Sequence, residues 1–192
     1  MTHMRMRVLA SMCAALALMS MGSAPVHADD DSKGPNLTLP STIAIGDSVM
    51  LGAVNALRKQ GVDVIDAKKN RQAPTGIDII RERGRTLPTN VVFHLGTNGT
   101  FPSTLCRDIL RAVGRERRVF ILTLAVPRKW EAPNNARIRR CAQTHADRVT
   151  LIDWHRAVSE RVEWVAGDGV HLRPLGANGY ARLIAKAVRG AE

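Results

Sequence analysis

The chain has 192 residues, 45% hydrophobic and 23% charged, which suits one globular domain with a sizeable core. Aromatic residues make up only 4%, so aliphatic side chains must fill that core, and the stacking platforms of single-strand nucleic-acid binders have little to be built from. The formal net charge of +11 favours polyanionic surroundings (acidic wall polymer, anionic lipid or nucleic acid) and says nothing about catalysis.

At the N-terminus, Arg5 and Arg7 precede an apolar stretch from Val8 to Met21. Small residues follow, and Val26-His27-Ala28 stands before Asp29-Asp30-Asp31. A positive segment, an apolar segment and an Ala-x-Ala-like site read as a signal peptide over residues 1–28, cleaved after Ala28. An uncleaved anchor is the alternative, although the run is short for a membrane span. Export would place the protein outside the cell, in the periplasm or at the cell wall. Residues 29–40 are polar and broken by Gly34, Pro35 and Pro40, and read as a flexible leader.

From Ser41 onward, strand and helix patterns alternate. Thr42–Ile45, Val62–Ala67, Val91–Leu95, Val119–Leu124 and Val149–Ile152 are short and apolar on both faces, as strands covered on both sides should be. Helical patterns fall at Val49–Gln60, Thr75–Thr86, Ser103–Arg115, Asn134–Ala146, His155–Val165 and Pro174–Arg189. The order predicts one α/β domain over residues 41–192, a three-layer α/β/α sandwich. Its five-stranded parallel sheet has the flavodoxin-like order 2-1-3-4-5. Cys106 and Cys141 are the two cysteines beyond the apolar leader. In an exported protein they read as a structural disulfide between two helices; two separate buried thiols are the alternative. No His or Cys spacing resembles a zinc site.

Four segments fall after strands or near the chain's end, where they can meet at one rim of such a sheet. They are Gly46-Asp47-Ser48, Asp66-Ala67-Lys68-Lys69-Asn70-Arg71-Gln72, His94-Leu95-Gly96-Thr97-Asn98-Gly99 and Asp168-Gly169-Val170-His171-Leu172. Ser48 is either a helix N-cap or a nucleophile. Its hydroxyl needs a base to take its proton, and His171 is the residue of suitable chemistry. Asp168, three residues earlier, can reach His171 Nδ1 across a turn and stabilise the imidazolium. For Asp168 and His171 the plainer reading is a loop ending in a cap, and for Asn98 a turn residue. His94 reads as a packed histidine, Asp47 as support for the turn, and Trp164 as packing beneath the last segment.

The first, third and fourth segments together resemble the Ser, Asn and Asp-x-x-His blocks of the SGNH (GDSL-like) hydrolase superfamily, over essentially the whole of residues 41–192. The finer wording, including Val126-Pro127-Arg128-Lys129-Trp130, is similar to the extracellular SGNH domain fused to membrane acyltransferases that O-acetylate peptidoglycan. The resemblance implies catalysis by Ser48, Asp168 and His171 without metal or cofactor. It also implies an oxyanion hole from the N–H of Ser48, the N–H of a glycine after the second strand, and the amide of Asn98. Asn70 stands where the family usually has that glycine. Asn tolerates left-handed backbone, so the donor can survive, while its side chain would contact the acyl group. Arg128 and Trp130 read as a wall or an anion contact for a sugar; the plainer reading of Trp130 is a cover for the core.

The expected function is an exported serine esterase or O-acetyltransferase of a cell-wall or extracellular polysaccharide, working through an acyl-Ser48 intermediate. A transferase would need a separate membrane acyltransferase as acetyl donor; an esterase would not. A monomer is expected, and no nucleic-acid partner, for want of a recognition motif. The competing reading is a catalytically weak SGNH-fold protein that binds anionic wall polymer through basic patches such as 81–85, 115–118 and 137–140. Such patches are ordinarily solvated helix faces.

Overall fold

The computed structural model describes residues 39–191. The expected signal peptide and most of the expected leader lie outside the described residues. Five parallel strands, β1 (Thr42–Gly46), β2 (Val64–Ala67), β3 (Asn90–His94), β4 (Arg118–Leu122) and β5 (Val149–Ile152), form one sheet in the order β2-β1-β3-β4-β5. This is the predicted topology. Among the described residues seven α-helices surround the sheet: α1 (Ser48–Leu51), α2 (Val54–Lys59), α3 (Thr75–Arg83), α4 (Leu105–Val113), α5 (Glu131–Thr144), α6 (Trp154–Glu160) and α7 (Pro174–Arg189).

Side chains alternate across β3 and show how the layers are filled. Phe93 and Leu95 face α3, which approaches so closely that a Cβ at Gly76 would lie 2.4 Å from the Phe93 ring. His94 points the other way and meets Tyr180 of α7. Ile43, Ala44, Ile45, Val91, Val92 and Phe93 are fully buried, because helices cover both faces of the central strands. Leu39 is also buried, so packing reaches back to the first described residue. Trp164 lies against α7, where a Cβ at Gly179 would be 2.4 Å from its indole, and it stacks on Trp154 at 5.9 Å between centroids. Cys106 of α4 and Cys141 of α5 are joined by a disulfide, with Cα atoms 5.7 Å apart. Among the described residues no helix is long and apolar enough to cross a membrane.

Element ends differ from the sequence expectation for local reasons. The helix expected over Val49–Gln60 is two, α1 and α2, parted at Gly52 and Ala53, where the Gly52 N–H closes the first on the Ser48 and Met50 carbonyls. β4 stops at Leu122, not Leu124, because the Asn135 side chain takes both backbone groups of Leu124. α5 starts three residues early, and the carboxylate of its first residue, Glu131, accepts the Val126 N–H at 2.6 Å. β2 starts at Val64, since Val62 N–H still bonds the Leu57 carbonyl at the end of α2.

Candidate active site

The site is assembled at the C-terminal ends of β1, β2 and β3, the rim where open parallel sheets hold ligands. β1 ends at Gly46, whose missing side chain leaves room for Met50: a Cβ there would fall 2.5 Å from the Met50 Cβ. The chain turns through Asp47 into α1. Asp47, not Ser48, is the N-cap; its carboxylate accepts the Val49 N–H at 3.0 Å. The cap reading of Ser48 is therefore corrected. Ser48 is the first helical residue, and its hydroxyl is released to the surface.

That hydroxyl lies 3.2 Å from His171 Nε2. His171 Nδ1 lies 2.6 Å from Asp168 Oδ2. The two residues sit on a tight reversal in which Val165 and Leu172 pair as an antiparallel bridge. Gly169 takes the left-handed backbone at φ +72° that the turn requires. Asp168 Oδ1 accepts the N–H groups of Val170 and His171 at 2.9 and 3.0 Å, which fixes the carboxylate beneath the ring. The hydrogen bond from His171, joined by those two backbone donors, holds the Asp168 pKa down at about 2. With Asp168 as acceptor, the imidazole carries its proton on Nδ1 and presents Nε2 as an acceptor to the Ser48 hydroxyl. Such a chain can carry a proton from oxygen to imidazole while the carboxylate balances the resulting charge.

The second and third segments complete the rim. Asn70 is the one non-glycine residue of positive φ among the described residues, at +58°. The left-handed conformation expected of it is thus present. Asn98 donates its amide to the Arg71 carbonyl at 3.3 Å, which orients the group and leaves a second N–H free. Ser48, Lys69, Asn70, Asn98, Asp168 and His171 line one open cleft of about 770 Å3. Arg128 and Trp130 line the same cleft; the Trp130 indole N–H is tied to the Thr97 carbonyl at 3.2 Å.

Residues that sequence reasoning passed over hold these loops in place. Arg71 donates to the Gly46 carbonyl at 3.1 Å, to the Asp66 carbonyl, and to the Asp66 carboxylate at 2.6 Å, so the end of β1 and the loop after β2 are one unit. Gln72 donates to the Asn98 carbonyl at 2.9 Å. Asn134, fully buried on α5, donates to the carbonyls of Gly96 and Gly99 and accepts the Phe101 N–H, bracing the Asn98 loop from below. Beneath Ser48, Asp47 is buried and its pKa is raised by that burial. His94 is the packed histidine expected: its Nδ1 lies 2.8 Å from the Tyr180 hydroxyl, and burial pushes its pKa down to about 3. Arginine and asparagine types offered no signal for the bracing roles, because the Gly46 and Gly96 carbonyls they hold lie 25 and 38 residues from Arg71 and Asn134.

No protein-family profile matches the chain. The Bacillus subtilis protein YrhL is 35% identical to it over 160 residues, 82% of this chain. The O-acetyltransferase OatA of Staphylococcus aureus is 31% identical over 77% of this chain. The chain spans only about a quarter of the length of these curated relatives. Among solved structures, the C-terminal catalytic domain of Streptococcus pneumoniae peptidoglycan O-acetyltransferase A superposes with TM-score 0.66 and 26% identity. The match covers 80% of this chain and 95% of that domain. The chain belongs to the SGNH (GDSL-like) hydrolase superfamily. A GDSL-like lipase of Bacteroides thetaiotaomicron shares the SGNH fold at TM-score 0.60 and 17% identity. The SGNH blocks expected from sequence, at Ser48, Asn98 and Asp168–His171, meet at one cleft.

Proposed function

We propose that this domain is an exported serine esterase or O-acetyltransferase acting on O-acetyl groups of cell-wall or extracellular polysaccharide. The observation that carries the proposal is the Ser48–His171–Asp168 chain of contacts at the cleft. Ser48 Oγ attacks the acetyl carbonyl carbon as His171 Nε2 takes the hydroxyl proton. The negative charge formed on the carbonyl oxygen is met by the N–H groups of Ser48 and Asn70 and the amide of Asn98, each worth roughly 3 kcal/mol in the transition state. The C–O bond to the donor alcohol then breaks, and His171 returns the proton to the departing oxygen. Acetyl-Ser48 remains. Water or a sugar hydroxyl attacks it, passing a proton through His171 back to Ser48, and acetate or an acetylated sugar leaves.

Arg128 and Trp130 form the wall against which a sugar ring packs. The names of the relatives support a peptidoglycan substrate, since the Listeria monocytogenes peptidoglycan O-acetyltransferase OatA is 29% identical over 83% of this chain. In the transfer mode a separate membrane acyltransferase supplies the acetyl group. The domain acts as a monomer after cleavage behind Ala28. Incubating the purified protein with an activated acetyl ester and a wall-sugar oligomer tests the reading. Leaving-group release that Ser48→Ala abolishes is expected, with free acetate marking an esterase and acetylated sugar a transferase. Equal release by Ser48→Ala would overturn the proposal.

A further inference from the structure

Away from the active-site cleft, the outer face of α4 and α5 carries a second concave region. A groove of about 530 Å3 lies between the two helices, with the Cys106–Cys141 disulfide, Pro133 and Ala136 among its lining residues. A second hollow of about 410 Å3 adjoins it and shares Arg107 and His145. The two make one track. It starts near Ser103 and Pro133, on the side of the active-site rim, and ends near Gly114 and Arg148, at the start of β4 and β5.

The track is cationic along its length. Arg107, Arg111, Arg115, Arg137, Arg140 and Arg148 line it, and among the described residues no acidic side chain does. Arg107 has a loose 3.5 Å contact with Asp108 and is otherwise exposed. Arg111, Arg115 and Arg140 are exposed and have no ion pair among the described residues. Positions four apart, as 107 and 111 are, lie about 6 Å apart along the axis of α4. The disulfide ties α4 to α5, so the two rows keep a constant separation.

Guanidiniums only donate hydrogen bonds, and they match oxyanions in a forked geometry. Ionised phosphodiester and carboxylate oxygens both satisfy such a lining; a phosphodiester chain presents one at every backbone linkage, a continuous row to match the rows of guanidiniums. Among the described residues no Phe, Tyr or Trp lines the track, so it lacks the large aromatic platforms on which single-strand binders stack successive bases. We propose that the α4–α5 face is a docking track for a linear, base-free polyphosphodiester, separate from the acyl site. Bound there, the polymer holds the domain against the matrix in which its acyl substrate lies, and docking does not require the Ser48 chemistry.

The test measures binding of the full chain to fluorescently labelled poly(glycerol phosphate) at about 0.15 M salt, where unspecific attraction is screened beyond roughly 8 Å. The track variant is Arg107→Glu, Arg111→Glu, Arg140→Glu. The control carries the same charge change on the opposite layer, Arg58→Glu, Lys59→Glu, Lys186→Glu, at exposed positions of α2 and α7. All six side chains are exposed, and a native thermal transition confirms each fold. The expected result is at least tenfold weaker binding for the track variant and less than twofold for the control. Equal weakening of both, or of neither, overturns the proposal. Equally tight binding of poly-glutamate or of single-stranded DNA of matched charge overturns its base-free phosphodiester chemistry.

Discussion

The carboxylate of Asp47 accepts the backbone N–H of Val49 at 3.0 Å. This capping bond frees the neighbouring serine from any structural duty at the start of α1. Ser48→Ala is therefore expected to leave unfolding free energy within about 0.5 kcal/mol of native, while Ser48-dependent ester cleavage falls by at least about 1000-fold. Asp47→Ala is expected to cost about 1 kcal/mol of stability as a lost cap. Denaturant melts of the two variants, read beside their rates, check the division of labour.

Asp168 has its pKa depressed to about 2, below the ordinary carboxylate value of 3.8, so it stays ionised at every pH above about 3. A native profile of log kcat/KM between pH 4 and 7 should then have a limiting slope of one, from a single protonation elsewhere. A slope of two would contradict it. Asp168→Asn removes the acceptor that fixes the His171 tautomer, and kcat should drop by about four orders of magnitude, on the pattern of serine triads.

Asn70 holds a left-handed backbone at φ +58° at the cleft. Asn70→Gly keeps that conformation and removes the side chain. It is expected to leave stability within about 0.5 kcal/mol and to raise turnover of propionyl or butyryl esters relative to acetyl. Asn70→Ala should cost about 1 kcal/mol, since alanine pays for positive φ. A series of nitrophenyl esters and a thermal melt separate the two effects.

The disulfide spans a sequence separation of 35 residues. On the chain-entropy account a loop of this size contributes about 3–4 kcal/mol. The double variant Cys106→Ser, Cys141→Ser, or reduction by thiol, should lower the denaturation midpoint accordingly. Thiol labelling after denaturation without reductant should find Cys106 and Cys141 unreactive.

His94 is buried neutral, with its pKa lowered to about 3 from 6.5. Between those values the unfolded chain binds a proton that the folded chain refuses. Stability attributable to His94 is present above about pH 6.5 and falls with acidification toward pH 3, by about 1.4 kcal/mol per unit at the steepest. His94→Gln, which still reaches the Tyr180 hydroxyl, should flatten the pH dependence relative to native in urea melts at pH 4, 5, 6 and 7.

The strands were legible because their residues are apolar on both faces, and α7 because its pattern runs unbroken from Pro174 to Arg189. The division of α1 from α2 was not, since Val49, Ala53 and Leu57 keep one helical stripe across the break at Gly52 and Ala53. Aspartate and serine are both good capping types, so only backbone angles could assign the cap to Asp47. The segments bearing Ser48, Asn98, Asp168 and His171 could be read as short motifs. Their supports could not. Arg71, Asn134 and Asn135 act on carbonyls and N–H groups whose position depends on the completed sheet.

Ser48 and His171 are 123 residues apart in the chain, one at the end of the first strand and the other after the last. A polypeptide emerging from N- to C-terminus delivers the hydroxyl early and the imidazole almost last. All five strands must be aligned before the two can meet. The contact is therefore completed late, and an incompletely emerged or partly folded chain lacks the Ser48–His171 pair on which the proposed ester chemistry depends.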